Sequence, residues 1–131
     1  MAVLIDTDLL IDLEKGDTYA QSLIGEQECA ISVITVSELL HGVLRANGAA
    51  RARRQAFVEH LLAGLKAIPI TEAVARVHAG IWSRLSDRGE PIGAHDLWIA
   101  ATAIAHGLGI ATRNNSHFSR IPGLLVITTP P

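Results

Sequence analysis

The sequence predicts an α/β protein in which a parallel sheet is covered by helices on both faces. Two observations lead to this fold class. Short apolar runs such as AVLID and CAISVIT alternate along the chain with longer segments of helical periodicity. Residues in these short runs are continuously apolar, which is typical of strands that are buried on both faces. Strands that alternate with helices in this way usually pair in parallel.

Composition limits the size and the type of the core. The chain has 131 residues, which suits one domain, and we expect residues 1–131 to form it. Hydrophobic residues make up 49% of the chain but aromatic residues only 4%, so the core must be largely aliphatic. The formal net charge of −2 means that the whole chain does not attract nucleic acid by its charge alone.

The sequence also indicates a cellular location. Its beginning, MAVLIDTD, lacks the basic segment and the long apolar run of a signal peptide. Its apolar runs are shorter than the roughly 20 residues that a membrane span needs. The single cysteine, Cys29, excludes an internal disulfide and fits a reducing compartment. We therefore expect a cytoplasmic protein that makes no contact with a membrane.

The first third of the chain predicts two strands and two helices. AVLID is short, apolar and rich in β-branched residues, which indicates a buried strand. The next segment, TDLLIDLEKGD, has a short helical pattern that Gly16 ends. CAISVIT indicates the second strand. Thr35 is predicted to open the helix VSELLHGVLRA, which ends near Asn47 and Gly48.

The remainder continues the alternation of helices and strands. A third helical segment runs from about Ala49 to Lys66, and AIPI is a short strand or extended link. An amphipathic helix over TEAVARVHAGIWSRLSDRG and a buried helix over AHDLWIAATAIAHG follow. IAT is predicted as a strand, RNNSHFSRIPG as a loop and LLVIT as the last strand.

Three acids occupy positions at the predicted carboxyl ends of the strands, where ligands bind in parallel sheets. Asp6 ends the first strand, and Glu38 and Asp96 each lie in the first turn of a predicted helix. Each acid also has a purely structural explanation. Asp6 could cap a helix, Glu38 could form a capping box with Thr35, and Asp96 could favour the positive end of a helix dipole.

The three acids together point to a metal site. Carboxylates gathered at one edge of a sheet repel each other and raise one another's pKa. A divalent cation removes that repulsion. Oxygen ligands without thiolates suit Mg²⁺ or Mn²⁺, so we expect Asp6, Glu38 and Asp96 to hold one of these ions.

Four segments carry a resemblance to a known family: VLIDTDLLIDL, ISVITVSELLHGV, GEPIGAHDLWIAATAIAHGLGIATRN and HFSRIPGL. Together they resemble the PIN-domain ribonucleases, and most of all the VapC group of toxins in type II toxin–antitoxin systems. This resemblance covers nearly the whole chain. It implies a three-layer α/β/α sandwich with a mainly parallel central sheet. It further implies a Mg²⁺-dependent endoribonuclease that forms a homodimer, cleaves RNA and is inhibited by a small antitoxin protein.

The same resemblance assigns roles to individual residues. Asp6, Glu38 and Asp96 match the acids that hold the metal and carry catalysis in the family. Thr7 and Thr112 match hydroxyls that orient these carboxylates. A water activated by the metal would then attack the phosphodiester.

Four further residues near the acids have less definite assignments. Asn114 and His117 stand where many relatives carry a fourth acid, so the resemblance leaves one or two metal ions open. Arg113 is expected to contact a phosphate of the substrate. Asp8 is read as a helix-start acid, with a place in the site as the second possibility.

Alternative functions differ in the residues they require. A receiver domain needs a late lysine, but the only lysines are Lys15 and Lys66. A haloacid-dehalogenase-like phosphatase shares the D-x-D spacing of Asp6 and Asp8, but Leu9 and Leu10 follow in place of a turn. The alternative that stays open is a PIN fold that serves as a non-catalytic interaction module.

Overall fold

One five-stranded parallel sheet organises the protein, as the computed structural model shows for residues 2–128. Residue 1 and residues 129–131, which the predicted domain 1–131 includes, lie outside the described residues. All neighbouring strands pair in parallel, in the order β3-β2-β1-β4-β5. The strands are β1 (Val3–Ile5), β2 (Cys29–Ser32), β3 (Lys66–Ile68), β4 (Gly109–Thr112) and β5 (Val126–Thr128). The predicted α/β class is therefore confirmed.

Helices cover the sheet. They are α1 (Thr7–Glu14), α2 (Thr18–Glu26), α3 (Val33–Arg45), α4 (Gly48–Gly64), α5 (Glu72–Asp87), α6 (Ala94–Ala105) and α7 (Asn115–Phe118). Within residues 2–128, no helix combines the length and the apolar character needed to cross a membrane.

Two apolar cores lie on opposite faces of the sheet. On β1, Leu4 faces one core with Ile81 of α5, whereas Val3 and Ile5 face the other core with Leu10 of α1. Buried residues of α5 and α6 belong to the first core, and those of α1 to α4 belong to the second. Each fully buried aliphatic side chain stabilises the fold by roughly 1.5–3 kcal/mol. This arrangement is the three-layer α/β/α sandwich that the family resemblance implies.

Helix α3 begins earlier than the sequence predicts. Strand β2 ends at Ser32, whose hydroxyl accepts a hydrogen bond of 3.0 Å from the Ile34 amide and so caps α3. Thr35 therefore lies inside the helix, and the predicted capping box between Thr35 and Glu38 is wrong. Glu38 lies in the second turn of α3, not in the first. The β-branched run after Ser32 favours a strand, but the serine cap stops the strand there.

Two helices were not predicted. Helix α2 follows the turn at Gly16, and the Asp17 carboxylate caps it by accepting a hydrogen bond of 2.9 Å from the Ala20 amide. The short helix α7 lies in the segment that was predicted as a loop. A single turn of helix has too few residues to show a periodicity in the sequence.

The order of the strands creates a crevice beside β1. The chain passes from β1 to β2 on one side, while β4 pairs with β1 on the other side. In doubly wound sheets, ligands bind outside the carboxyl ends of the strands at such a point. Asp6 directly follows β1, and Thr112 ends β4. The topology thus brings these two residues to one place although they are far apart in the sequence.

Candidate active site

Asp6 is a buried carboxylate at the centre of the sheet edge, and its side chain is 3% exposed. Its Oδ1 accepts a hydrogen bond of 2.8 Å from the Thr7 amide. Asp6 therefore caps α1, which is the structural role that the sequence also allowed. Its Oδ2 accepts a hydrogen bond of 2.8 Å from the Thr112 hydroxyl. The carboxylate is therefore fixed from both sides, by α1 and by the end of β4.

The surroundings of Asp6 change its acidity. Burial, together with the negative charges of Asp8 and Asp96, raises the pKa of the Asp6 carboxyl from 3.8 to about 6, although the hydrogen bond from Thr112 opposes this shift. Burial disfavours the charged form of an acid, and like charges add to that effect. A cation at this position would favour the ionised form.

Glu38 reaches the same region from α3. Its Oε1 accepts a hydrogen bond of 2.7 Å from the Thr7 hydroxyl. That hydroxyl is also hydrogen-bonded, at 2.9 Å, to the buried hydroxyl of Thr35. On its other side, Glu38 Oε2 lies 3.4 Å from Nδ1 of His95, which is in the first turn of α6. Glu38 therefore connects the beginnings of α1 and α6.

Asp96 lies in the first turn of α6, as the sequence predicts. Its Oδ2 lies 3.4 Å from Nδ1 of His117, and Nδ2 of Asn114 lies 2.8 Å from the same ring nitrogen. The Asn114 amide in turn donates a hydrogen bond of 2.8 Å to the Thr112 hydroxyl. Asp96 is thus linked through His117, Asn114 and Thr112 to the carboxylate of Asp6. Asn114 and His117, which stand at the predicted place of a fourth acid, form this link.

Asp8 belongs to the same electrostatic cluster. Burial raises the pKa of its carboxyl, and the charges of Asp96, Glu38 and Asp12 raise it further. From the sequence, a helix-start role was expected for this residue. The D-x-D spacing was the signal that Asp8 belongs to this cluster, because it places Asp6 and Asp8 together at the start of α1.

A cavity of about 500 Å³ opens beside the cluster. Two of its lining residues, His41 and His95, were not among the predicted site residues. The cavity brings polar and acidic side chains together at one open space. Its lining consists of Thr7, Asp8, Ile11, Ser37, Glu38, His41 and His95.

Arg113 has different partners from those expected. Its guanidinium forms ion pairs with Asp12 of α1 and with Asp17, the residue that caps α2. The expected contact between Arg113 and a substrate phosphate is a prediction that the structure does not test. A phosphate at this place would have to compete with the two carboxylates.

The donor chemistry of the cluster suits a hard divalent cation, since carboxylate oxygens predominate. However, within residues 2–128 no three His, Cys, Asp or Glu side chains are grouped as ligands of one metal ion. The hydrogen bonds explain this, because the oxygens of Asp6 and Glu38 are held by hydroxyl, amide and imidazole groups.

Comparisons with known proteins agree on one family. Residues 3–124 match the PIN domain. Ribonuclease VapC1 of Rickettsia felis is 36% identical over 129 residues, which cover 98% of this chain and 96% of that protein. Ribonuclease VapC4 of Mycobacterium tuberculosis is 34% identical over 125 residues, or 95% of each chain. Among solved structures, DNA-bound VapBC from Salmonella typhimurium has a TM-score of 0.91 and 27% identity, and the match covers 98% of both chains.

Proposed function

We propose a function from one premise: this chain belongs to the PIN-domain family and, within it, to the VapC group. The protein is an endoribonuclease that acts in the cytoplasm as the toxin of a toxin–antitoxin pair. Two findings support this proposal. Curated relatives that match over nearly the full length, such as VapC1 of Rickettsia felis and VapC4 of Mycobacterium tuberculosis, are named ribonucleases, and similar solved structures include VapBC complexes.

The observation that carries the proposal is the convergence of acids from three elements on one crevice. Asp6 follows β1, Glu38 comes from α3 and Asp96 from α6. Burial and like charge raise the pKa of the Asp6 carboxyl. Such a concentration of negative charge around a buried carboxylate destabilises the protein unless a positive group joins it. Perturbed acids in a cleft are typical of functional sites.

We infer that Mg²⁺ or Mn²⁺ is the positive group, and that Asp6, Glu38 and Asp96 hold it. When bound, such an ion provides Lewis acidity toward a water molecule and the scissile phosphate. An all-carboxylate donor set with no thiolate supports this choice of ion. The alternative function, a non-catalytic interaction module, does not require four acids at one crevice.

The protein's own residues prepare the site. Thr112 donates a hydrogen bond to Asp6, which favours the ionised carboxylate. Because the pKa of Asp6 is about 6, this ionised form predominates at neutral pH. Thr7 donates to Glu38 and holds it against the end of β1. His117 and Asn114 restrain Asp96. These contacts fix carboxylates before the substrate arrives, and partners of this kind are important for both metal affinity and activity.

The antitoxin and a second copy of the chain are the expected protein partners. An arginine or lysine of the antitoxin could replace the charge of the cation among the acids. Exposed apolar side chains such as Trp82, which is 61% exposed, and Leu44, which is 64% exposed, are available for protein contacts. We expect a homodimer, as in the family, and sedimentation analysis of the purified chain tests this.

Cleavage of total RNA by the purified chain tests the catalytic proposal. The wild type should cleave RNA with Mg²⁺ or Mn²⁺ and lose this activity in a chelator. Asp6→Asn should be inactive, whereas the control Asp87→Asn, at the exposed end of α5, should cleave normally. A folded wild type that leaves RNA intact under all these conditions would instead favour the interaction module.

Growth of a bacterial host tests the toxin proposal separately. Expression of the chain alone should arrest growth, and co-expression of the neighbouring small gene should restore it. The Asp6→Asn variant should permit growth in both cases. Normal growth with abundant folded wild-type protein would contradict the toxin role.

A further inference from the structure

Arg113 lies between two residues that contact the acid cluster. On one side, Thr112 donates a hydrogen bond to Asp6. On the other, the Asn114 amide donates to Thr112, and the Asn114 side chain contacts His117. The position of the backbone at residue 113 therefore affects the positions of Thr112 and Asn114.

The Arg113 guanidinium ties this segment to the far end of α1. Its Nε pairs with Asp12, and its Nη2 pairs with Asp17 in the turn between α1 and α2. Helix α1 has eight residues, so it is about 12 Å long. Residues 112–114 are thus attached to α1 at its beginning, through Asp6, and near its end, through Arg113. Two attachments along one rigid helix restrict both the position and the direction of the segment.

The chemistry of these ion pairs favours a structural clamp, which consists of Arg113, Asp12 and Asp17. The side chains are only partly exposed, at 35% for Arg113, 28% for Asp12 and 27% for Asp17. A single arginine that binds two carboxylates uses its planar fork in a fixed geometry, which a flexible surface pair does not. Asp17 is itself restrained, because its other oxygen caps α2. An arginine held in this way has little freedom to follow a substrate.

We propose that Arg113 is a positioning residue, which fixes Thr112 and Asn114 and through them the carboxylate of Asp6, and that it is not a phosphate contact. The activity it supports is the ribonuclease activity proposed above, on which this inference rests. The two roles predict different kinetics. Loss of a phosphate contact weakens substrate binding and reduces its dependence on salt, whereas loss of positioning lowers the rate of the chemical step.

The experiment compares Arg113→Gln with the wild type and with Arg76→Gln, a control that removes an exposed ion pair on α5. For Arg113→Gln we expect kcat to fall by roughly 10- to 100-fold while KM changes by less than about twofold. The dependence of RNA affinity on salt should be unchanged. A normal kcat, with a raised KM and a logarithmic salt slope reduced by about one, would overturn the proposal in favour of a phosphate contact.

Two readouts do not depend on RNA cleavage. Amide hydrogen exchange at Asn114 should become faster in Arg113→Gln, because its bond to Thr112 loosens, and Mn²⁺ affinity should fall. Arg113→Lys, which keeps the positive charge but lacks the planar fork of arginine, should give intermediate values. If the wild type does not cleave RNA, the proposed function fails, but these two measurements still decide the role of Arg113. Unchanged exchange and unchanged affinity would overturn it.

A variant at the partner residue covers the case in which Arg113→Gln does not fold. Asp12→Asn leaves Arg113 and its pair with Asp17 in place. We expect it to change kcat, exchange at Asn114 and Mn²⁺ affinity in the same direction as Arg113→Gln, but less. Wild-type values for all three quantities would show that the clamp does not position the site.

Discussion

Asp6 and Thr112 are 106 residues apart in the sequence and are joined by a buried hydrogen bond of 2.8 Å. They meet because β1 and β4 are neighbours in the sheet, where Ile5 lies opposite Ala111. The bond connects the carboxylate that begins α1 with the hydroxyl that ends β4. The acidity of Asp6 therefore depends on this contact, which opposes the rise of its pKa.

The first prediction concerns this hydrogen bond. Thr112→Val keeps the shape of the side chain but removes the donor that lowers the pKa of Asp6. The pKa of the Asp6 carboxyl should rise further above about 6. We expect the acidic limb of the pH–rate profile for RNA cleavage to move to higher pH, and the rate at pH 7 to fall. Thr112→Ser, which retains the hydroxyl, is the control. Identical profiles for Val and Thr would contradict the role of this bond.

The second prediction concerns stability and pH without added metal. The pKa of Asp6 is about 6 in the folded protein, whereas the ordinary value of 3.8 applies to the unfolded chain. Between pH 3.8 and about 6, the folded state therefore binds more protons than the unfolded state. The contribution of Asp6 to the free energy of unfolding is therefore greatest below 3.8 and is lost as the pH rises to about 6. The loss amounts to about 3 kcal/mol, since one pKa unit is about 1.4 kcal/mol.

Urea unfolding in a chelator from pH 4 to pH 7 measures this effect. Asp6→Asn lacks the titrating group, so the variant should gain stability relative to the wild type as the pH rises. Adding Mn²⁺ at pH 7 should stabilise the wild type more than the variant. A constant difference between the two proteins across this pH range would show that burial does not perturb Asp6.

The third prediction concerns the hydroxyl of Thr7, which binds both Glu38 and the buried Thr35. Thr7→Val leaves those two groups without this partner, so we expect a loss of about 1–3 kcal/mol in the free energy of unfolding. Cleavage should fall by roughly 10- to 100-fold because Glu38 is no longer held. Thr7→Ser should restore most of both quantities. Full activity in Thr7→Val would show that Glu38 needs no orienting group.

The sequence predicted the acids better than it predicted what holds them. Asp6 and Asp96 could be placed because a strand end and the first turn of a helix are local features. The start of α3 could not be placed, because the β-branched run that follows Ser32 favours a strand although it forms the first turn of the helix. The partners of Arg113 were also beyond the sequence, since they depend on how the turn before the unpredicted helix α2 packs against the end of β4. Contacts between distant segments follow from packing, which leaves no periodic signal.

The fourth prediction concerns Asp8, which the sequence analysis favoured only as a helix-start acid. Its carboxyl has a raised pKa, caused by burial and by the charges of Asp96 and Glu38. Asp8→Asn should therefore raise the melting temperature in a chelator at pH 7, because repulsion among the acids decreases. Removal of the Asp8 charge should also strengthen RNA binding, and most at low salt, where repulsion between this carboxylate and the RNA backbone is least screened. A lower melting temperature would indicate that the helix-start role of Asp8 outweighs repulsion.

The last prediction separates a metal role for Asp96 from a purely helical one. Helix α6 begins after Gly93 without a side-chain cap, and the Asp96 carboxylate contacts His117. Asp96→Asn keeps its shape and much of its hydrogen-bonding capacity, so a structural role should survive the change. A metal role should not survive, because one negative charge leaves the cluster. We expect near-normal folding, a melting temperature in a chelator equal to or above that of the wild type, weaker stabilisation by Mn²⁺ and loss of most RNA cleavage. Asp87→Asn serves as the control. Unchanged cleavage and unchanged Mn²⁺ stabilisation in Asp96→Asn would show that Asp96 only begins a helix.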